Sequence, residues 1–186
     1  SYVEELGYTT HVHNKGTLEV DVPGLDESKT VATSAHVDTL GMMVRSVKSG
    51  GTLALTKVGG PICPTLDGEY CTVLTREGRR YSGTILSLAP AVHVYPDAAT
   101  MTRDADHLEV RLDEEVKSAE DVKALGIDNG DFVFIDPKFT MTGSGFLKSR
   151  FIDDKGSAAC LLTLLRLMHI AGQRPRYDTE VCFTVH

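Results

Sequence analysis

The sequence lacks the cysteine spacing of a disulfide framework or a zinc knuckle. Its four cysteines, Cys63, Cys71, Cys160 and Cys182, are scattered through 186 residues with no CxxC pair. Such spacing fits reduced thiols in a cytoplasmic protein. There is no apolar run of about 18 residues, so no segment reads as a membrane-spanning helix. No signal-peptide pattern appears in the residues that follow Ser1. No dense Lys/Arg face is visible, and a formal charge of −7 argues against a partner built of phosphates. Internal repeats and low-complexity tracts are missing too. What remains is ordinary globular composition, 41% hydrophobic and 24% charged, enough for one generous domain or two small ones. The expectation is an acidic, soluble, cytoplasmic protein.

The pattern along the chain changes twice. SYVEELGY reads as the tail of a helix with Gly7 past its end, and YTTHVH, NKG and TLEVDV read as a hairpin with strict alternation in the second strand. KTVATSAH is continuous and small, the pattern of a buried strand. Beyond Gly41 come MMVRSV, TLALTKV, CTVLT, YSGTILSLA and HLEVRL, short alternating strands with glycine-rich turns that suggest a small closed barrel or a sandwich. SAEDVKALG carries a capping box, Ser118 with Asp121, and stops at Gly126; DFVFID returns to strand. Then GFLKSRFIDD enters a long helix that ends at Gly172. Its apolar positions nearly encircle it, leaving Thr163, Arg166 and His169 as a narrow polar stripe, which predicts packing on most sides. TEVCFTV is a last buried strand. The fold class is therefore α/β, with a discontinuous α/β segment (1–41 and 142–186) interrupted by an inserted β-barrel domain (42–141).

Two stretches could carry chemistry. In TSAHVDTLG a strand ends on His36 and Asp38, two apart and so on one face. His36 could offer an imidazole nitrogen to a divalent metal while Asp38 accepts its other N–H, fixing the tautomer. The plain alternative is a polar strand end in solvent. In FIDDKG, Asp153 and Asp154 precede a helix, where aspartates are expected as caps. Alternatively, Asp153 could bridge two cations with its two oxygens, as in two-metal hydrolases. His11 and His13 share a strand face and could chelate, although a hairpin surface explains them as well. His93, His107 and His169 carry weaker signals, and the cysteines read as packing residues without basic neighbours.

Taken in order, SAHVDTLGMMV, LTKVGG, SGTIL, LGIDNGDFVFID, GFLKSRFIDDKGSAACLLTLL and VCFTVH resemble the dinuclear metallo-aminopeptidases of the glutamyl-aminopeptidase type, the M42 family. That family's pattern has AHxDExG on a strand, an inserted barrel, K-x-x-DDR/DNR-x-G opening a helix, and a strand running into Q-E-E-V-G. The resemblance implies a zinc-exopeptidase-like catalytic domain that removes N-terminal residues from peptides. It implies two divalent ions per subunit, zinc or cobalt, with His36 and Asp153 as metal ligands. It places Asp38 in the catalytic site as the aspartate behind His36, and Asp154 as the residue the family often joins to the bridging aspartate through a cis peptide. Residues 42–141 match the barrel through which the family self-associates, up to a dodecamer.

Departures are equally specific. Thr39 stands where the family usually has glutamate, and Lys155 where it usually has arginine. The family's adjacent glutamates, one the general base and one a ligand, would come directly after His186, and a later aspartate and histidine complete its metal pair. The 186 residues hold two direct ligands and no general base, so on their own they are expected to be inactive. The alternative is a non-catalytic relative acting through barrel-mediated assembly or peptide binding. A carbohydrate hydrolase needs two carboxylates flanking a sugar-sized cleft; Asp153 and Asp154 are adjacent and do not suggest it.

Overall fold

The computed structural model describes residues 1–185. Along the chain come α1 (Tyr2–Glu5), β1 (Thr9–Val12), β2 (Leu18–Val22) and β3 (Asp26–His36). Then follow β4 (Gly41–Val47), β5 (Leu53–Val58), β6 (Tyr70–Leu74), β7 (Arg80–Ser87), β8 (Leu108–Leu112), α2 (Ala119–Ala124) and β9 (Phe132–Ile135). The short strands β10 (Thr140–Met141) and β11 (Leu147–Lys148) precede α3 (Ile152–Ala171) and β12 (Tyr177–Thr184). Two compact units result: Ser1–Thr39 with Phe151–His186, and Leu40–Arg150. Among the described residues no helix is long and apolar enough to cross a membrane.

The discontinuous unit is a four-stranded sheet in the order β1-β2-β12-β3 with α3 on one face. β12 runs antiparallel to β2 and parallel to β3, with Thr184 opposite His36. Alternation decides which side chains meet the helix. Val20, Val22, Val181 and Phe183 join Ala35, Ala158 and Leu165 in one buried cluster. Leu165 is 1% exposed, a burial that stabilises by about 1.5–3 kcal/mol. The Tyr8 hydroxyl donates to the Leu165 carbonyl at 2.9 Å, tying the N-terminal segment to the same helix. Gly24 lies so close to the Tyr177 backbone that a Cβ would sit 2.1 Å from its carbonyl carbon, so no side chain fits at that crossing.

Two burial expectations are corrected. α3 buries only Ala158 and Leu165 fully, while Leu164, Leu167 and Ile170 are 49%, 58% and 67% exposed. The sheet covers one stripe of the helix, and among the described residues nothing covers the second. β3 is likewise exposed from Glu27 to Ala32, because it is an edge strand paired only with β12.

The other unit is a closed barrel, β4-β5-β8-β7-β6-β9. Closure removes the free edges that short strands would otherwise expose. Met42, Val44, Leu53, Leu55, Val73, Ile85, Val110 and Val133 fill its interior at 0–1% exposure. Gly83 allows β7 to approach β8, since a Cβ there would meet the Arg111 carbonyl oxygen at 2.8 Å. At α2 the capping box forms: the Ser118 hydroxyl accepts from the Asp121 amide at 3.2 Å, and Asp121 accepts from the Ser118 and Lys117 amides at 3.0 and 2.9 Å. The long connection from β7 to β8 is pinned by Asp67, which accepts from the Ser87 amide at 3.0 Å and from Arg103 Nε at 3.1 Å. On the outside, Phe132 and Phe134 stack at 6.2 Å and are each 43% exposed.

Candidate metal centre

The parallel pairing of β3 with β12 carries His36 to the carboxyl end of the sheet, where α/β folds place their sites. One residue further, the Val37 amide donates to the Thr184 carbonyl at 2.9 Å and prolongs the pairing past the last strand residue. The start of α3 is irregular. Phe151 takes the left-handed conformation (φ 63°), Asp153 and Asp154 are non-helical, and the peptide bond between them is cis. The helix start has no side-chain cap, and both aspartates turn to His36 instead. The capping explanation for this pair is thereby set aside.

His36 Nε2 lies 3.1 Å from Asp153 Oδ1. Its Nδ1 lies 3.2 Å from the Asp38 carbonyl oxygen and 3.6 Å from Asp38 Oδ1. Asp154 Oδ2 accepts from the His36 amide at 3.3 Å. Partial burial pulls the His36 pKa down. The hydrogen bond to Asp153, the Asp38 carbonyl and the two carboxylate charges outweigh this, and the net shift is upward from 6.5. The Asp153 side chain is 95% exposed and open to a second contact. Asp153 and Asp154 border a cleft of about 770 Å³ with Thr33, Ser34, Ser157 and Cys160.

The chemistry of this set suits a divalent cation in part. An imidazole nitrogen and a carboxylate oxygen face each other, and Asp38 Oδ1 is buried with no hydrogen-bond partner. That orphaned oxygen is a ready acceptor for an Nδ1 proton if Nε2 is given to a metal. Yet among the described residues no group of three or more His, Cys, Asp or Glu side chains is arranged to hold an ion. A four-coordinate zinc site needs more donors than this pair supplies.

The remaining sequence candidates lie elsewhere. His11 pairs with Asp21 at 3.0 Å and His13 with Glu19 at 2.8 Å, each an exposed histidine bonded to a strand carboxylate. His107 Nδ1 lies 2.7 Å from Asp104, while His93 and His169 are exposed. All four cysteines are free; burial pushes the Cys71 thiol up to about 12, with the charge of Asp113 adding to it. The bond from the His36 amide to Asp154 spans 118 positions, and no local sequence signal marks it.

A sequence model of the family described as M42 glutamyl aminopeptidase matches residues 16–186. A Bacillus subtilis relative named "Putative aminopeptidase YhfE" is 42% identical over the whole of this chain, which covers 52% of that protein. The TET aminopeptidase from a marine-sediment Thaumarchaeota archaeon superposes with a TM-score of 0.87 at 22% identity, over 99% of this chain and 51% of that one. A Pyrococcus horikoshii TET1 peptidase, described as able to assemble into a tetrahedron or a large octahedral shell, gives 0.79 at 22% identity, over 96% and 51%. The chain spans about half the length of these relatives.

Proposed function

Since the chain belongs to the M42 glutamyl aminopeptidase family, we propose that the full-length protein removes N-terminal residues from peptides at a dinuclear metal site. His36 and Asp153 are the ligands this half contributes. The observation that carries the reading is their 3.1 Å approach, with Asp38 Oδ1 unpartnered behind the ring. Two divalent ions, zinc or cobalt, would supply Lewis acidity toward the scissile carbonyl and make a water nucleophilic near neutral pH. Within that frame the chain's own groups have separate tasks. Asp153 would hold the ions through its exposed carboxylate. His36 offers Nε2, and Asp38 holds the proton at Nδ1 so that Nε2 stays a free donor. The general base and the remaining ligands are assigned to the glutamates, aspartate and histidine of the family pattern.

Substituting Asp153→Ala in the full-length protein is expected to abolish release of the N-terminal residue from aminoacyl p-nitroanilides. Full turnover by that variant would contradict the assignment. Self-association through the barrel is part of this reading: the exposed Phe132, Phe134 and Tyr70 on its outside support an interface, and an assembly up to a dodecamer rests on the family resemblance. The four free cysteines support a reducing, cytoplasmic setting. The second reading, a non-catalytic relative acting through barrel assembly or peptide binding, draws support from the exposed aromatics of the barrel. Peptidase turnover separates the two readings.

A further inference from the structure

Building on the metal reading above, we propose that Asp154 is a positioning residue: its carboxylate clamps the end of β3 to the start of α3 and so sets the spacing of His36 from Asp153. β3 is an edge strand. The Val37 amide is spent on β12, donating to the Thr184 carbonyl at 2.9 Å. Neighbouring amides of a strand point to opposite sides, so the His36 amide faces the open edge, where no strand receives it. A partly buried donor left unpaired there is destabilising, so an acceptor is needed. Asp154 Oδ2 takes this bond at 3.3 Å.

The two consecutive aspartates therefore hold one residue at two points. Asp153 meets the imidazole ring, and Asp154 meets the backbone that carries it. Burial separates their tasks as well. The Asp153 side chain is almost fully exposed, leaving its second oxygen open to a further contact, whereas Asp154 is half-buried against the strand end. Because Asp154 points at an amide rather than at the ring, it serves as an acceptor and not as a third ligand. An amide oxygen accepts as a carboxylate oxygen does, so the clamp survives Asp154→Asn and is lost in Asp154→Ala.

The test titrates the parent, D154N and D154A proteins with Co²⁺ alone, following the His36 ring ¹⁵N shifts, and measures hydrogen exchange at the His36 amide. D154A is expected to lose protection at that amide and to bind Co²⁺ about 10–100-fold more weakly. D154N is expected to keep both properties. Parent-level Co²⁺ affinity in D154A, or a D154N as weak as D154A, overturns the proposal. Should D154A not fold, D154N decides: retained Co²⁺ affinity supports the clamp and lost affinity overturns it. A parent protein that takes up no Co²⁺ contradicts the metal reading itself. The clamp is then judged by exchange alone, and an unprotected His36 amide in the parent, or equal protection in D154A, overturns it.

Discussion

At the scale of single residues, the site is one imidazole with three carboxylates in different positions around it. Asp153 meets Nε2, Asp38 stands behind Nδ1, and Asp154 takes the backbone amide. Asp38→Ala is expected to weaken metal binding by up to about 10-fold, because the ring keeps the backbone carbonyl at 3.2 Å from Nδ1 but loses the carboxylate charge 3.6 Å away that raises its basicity. An unchanged affinity would remove Asp38 from that role. Much of this was legible in the sequence. His36-x-Asp38 on a strand end and the Asp153-Asp154 pair before a helix each had a plainer explanation, and only their joint order within the family pattern lifted them above it. The left-handed Phe151 and the bond from Asp154 to His36 were not legible. They depend on where a strand and a helix 118 positions apart come together, which no local propensity encodes.

At the scale of elements, alternation and capping were reliable where both partners are close in sequence. The hairpin of β1 and β2, the barrel strands and the capping box at α2 follow from local chemistry. The small hairpin of β10 and β11 leaves no periodic signal in the sequence, because its paired strands are only two residues each. Burial of α3 was overestimated. Its two apolar stripes look equivalent in sequence, and only the Ala158–Leu165 stripe finds the sheet. Leu165→Ala is expected to cost about 2–5 kcal/mol in denaturant unfolding, by cavity formation beneath β12; the exposed Leu167→Ala should cost far less.

The capping box predicts an acid dependence as well. Bonds from the Lys117 amide, then from Ser118, hold the Asp121 carboxyl below its ordinary value of 3.8. Its folded pKa is thus lower than its unfolded one. The stabilisation is complete above the ordinary value and is lost as pH falls through the lowered folded value. Asp121→Asn should flatten this acid limb in pH-dependent melting. An unaltered limb would show that other carboxylates carry it.

At the scale of the whole molecule, the sequence reading recovered an α/β unit interrupted by a barrel, and the structure supplied the closure and strand order. Among the described residues the two facing donors fall short of a full coordination shell. The deciding measurement is the number of divalent ions retained per chain by the full-length protein and by its Asp153→Ala variant, after equilibration with zinc or cobalt and removal of free ion. The expected result is two ions per chain in the parent, as in a two-metal hydrolase, and loss of both when the shared carboxylate is removed. Unchanged ion content in the variant would contradict the claim that His36 and Asp153 form one edge of a dinuclear site.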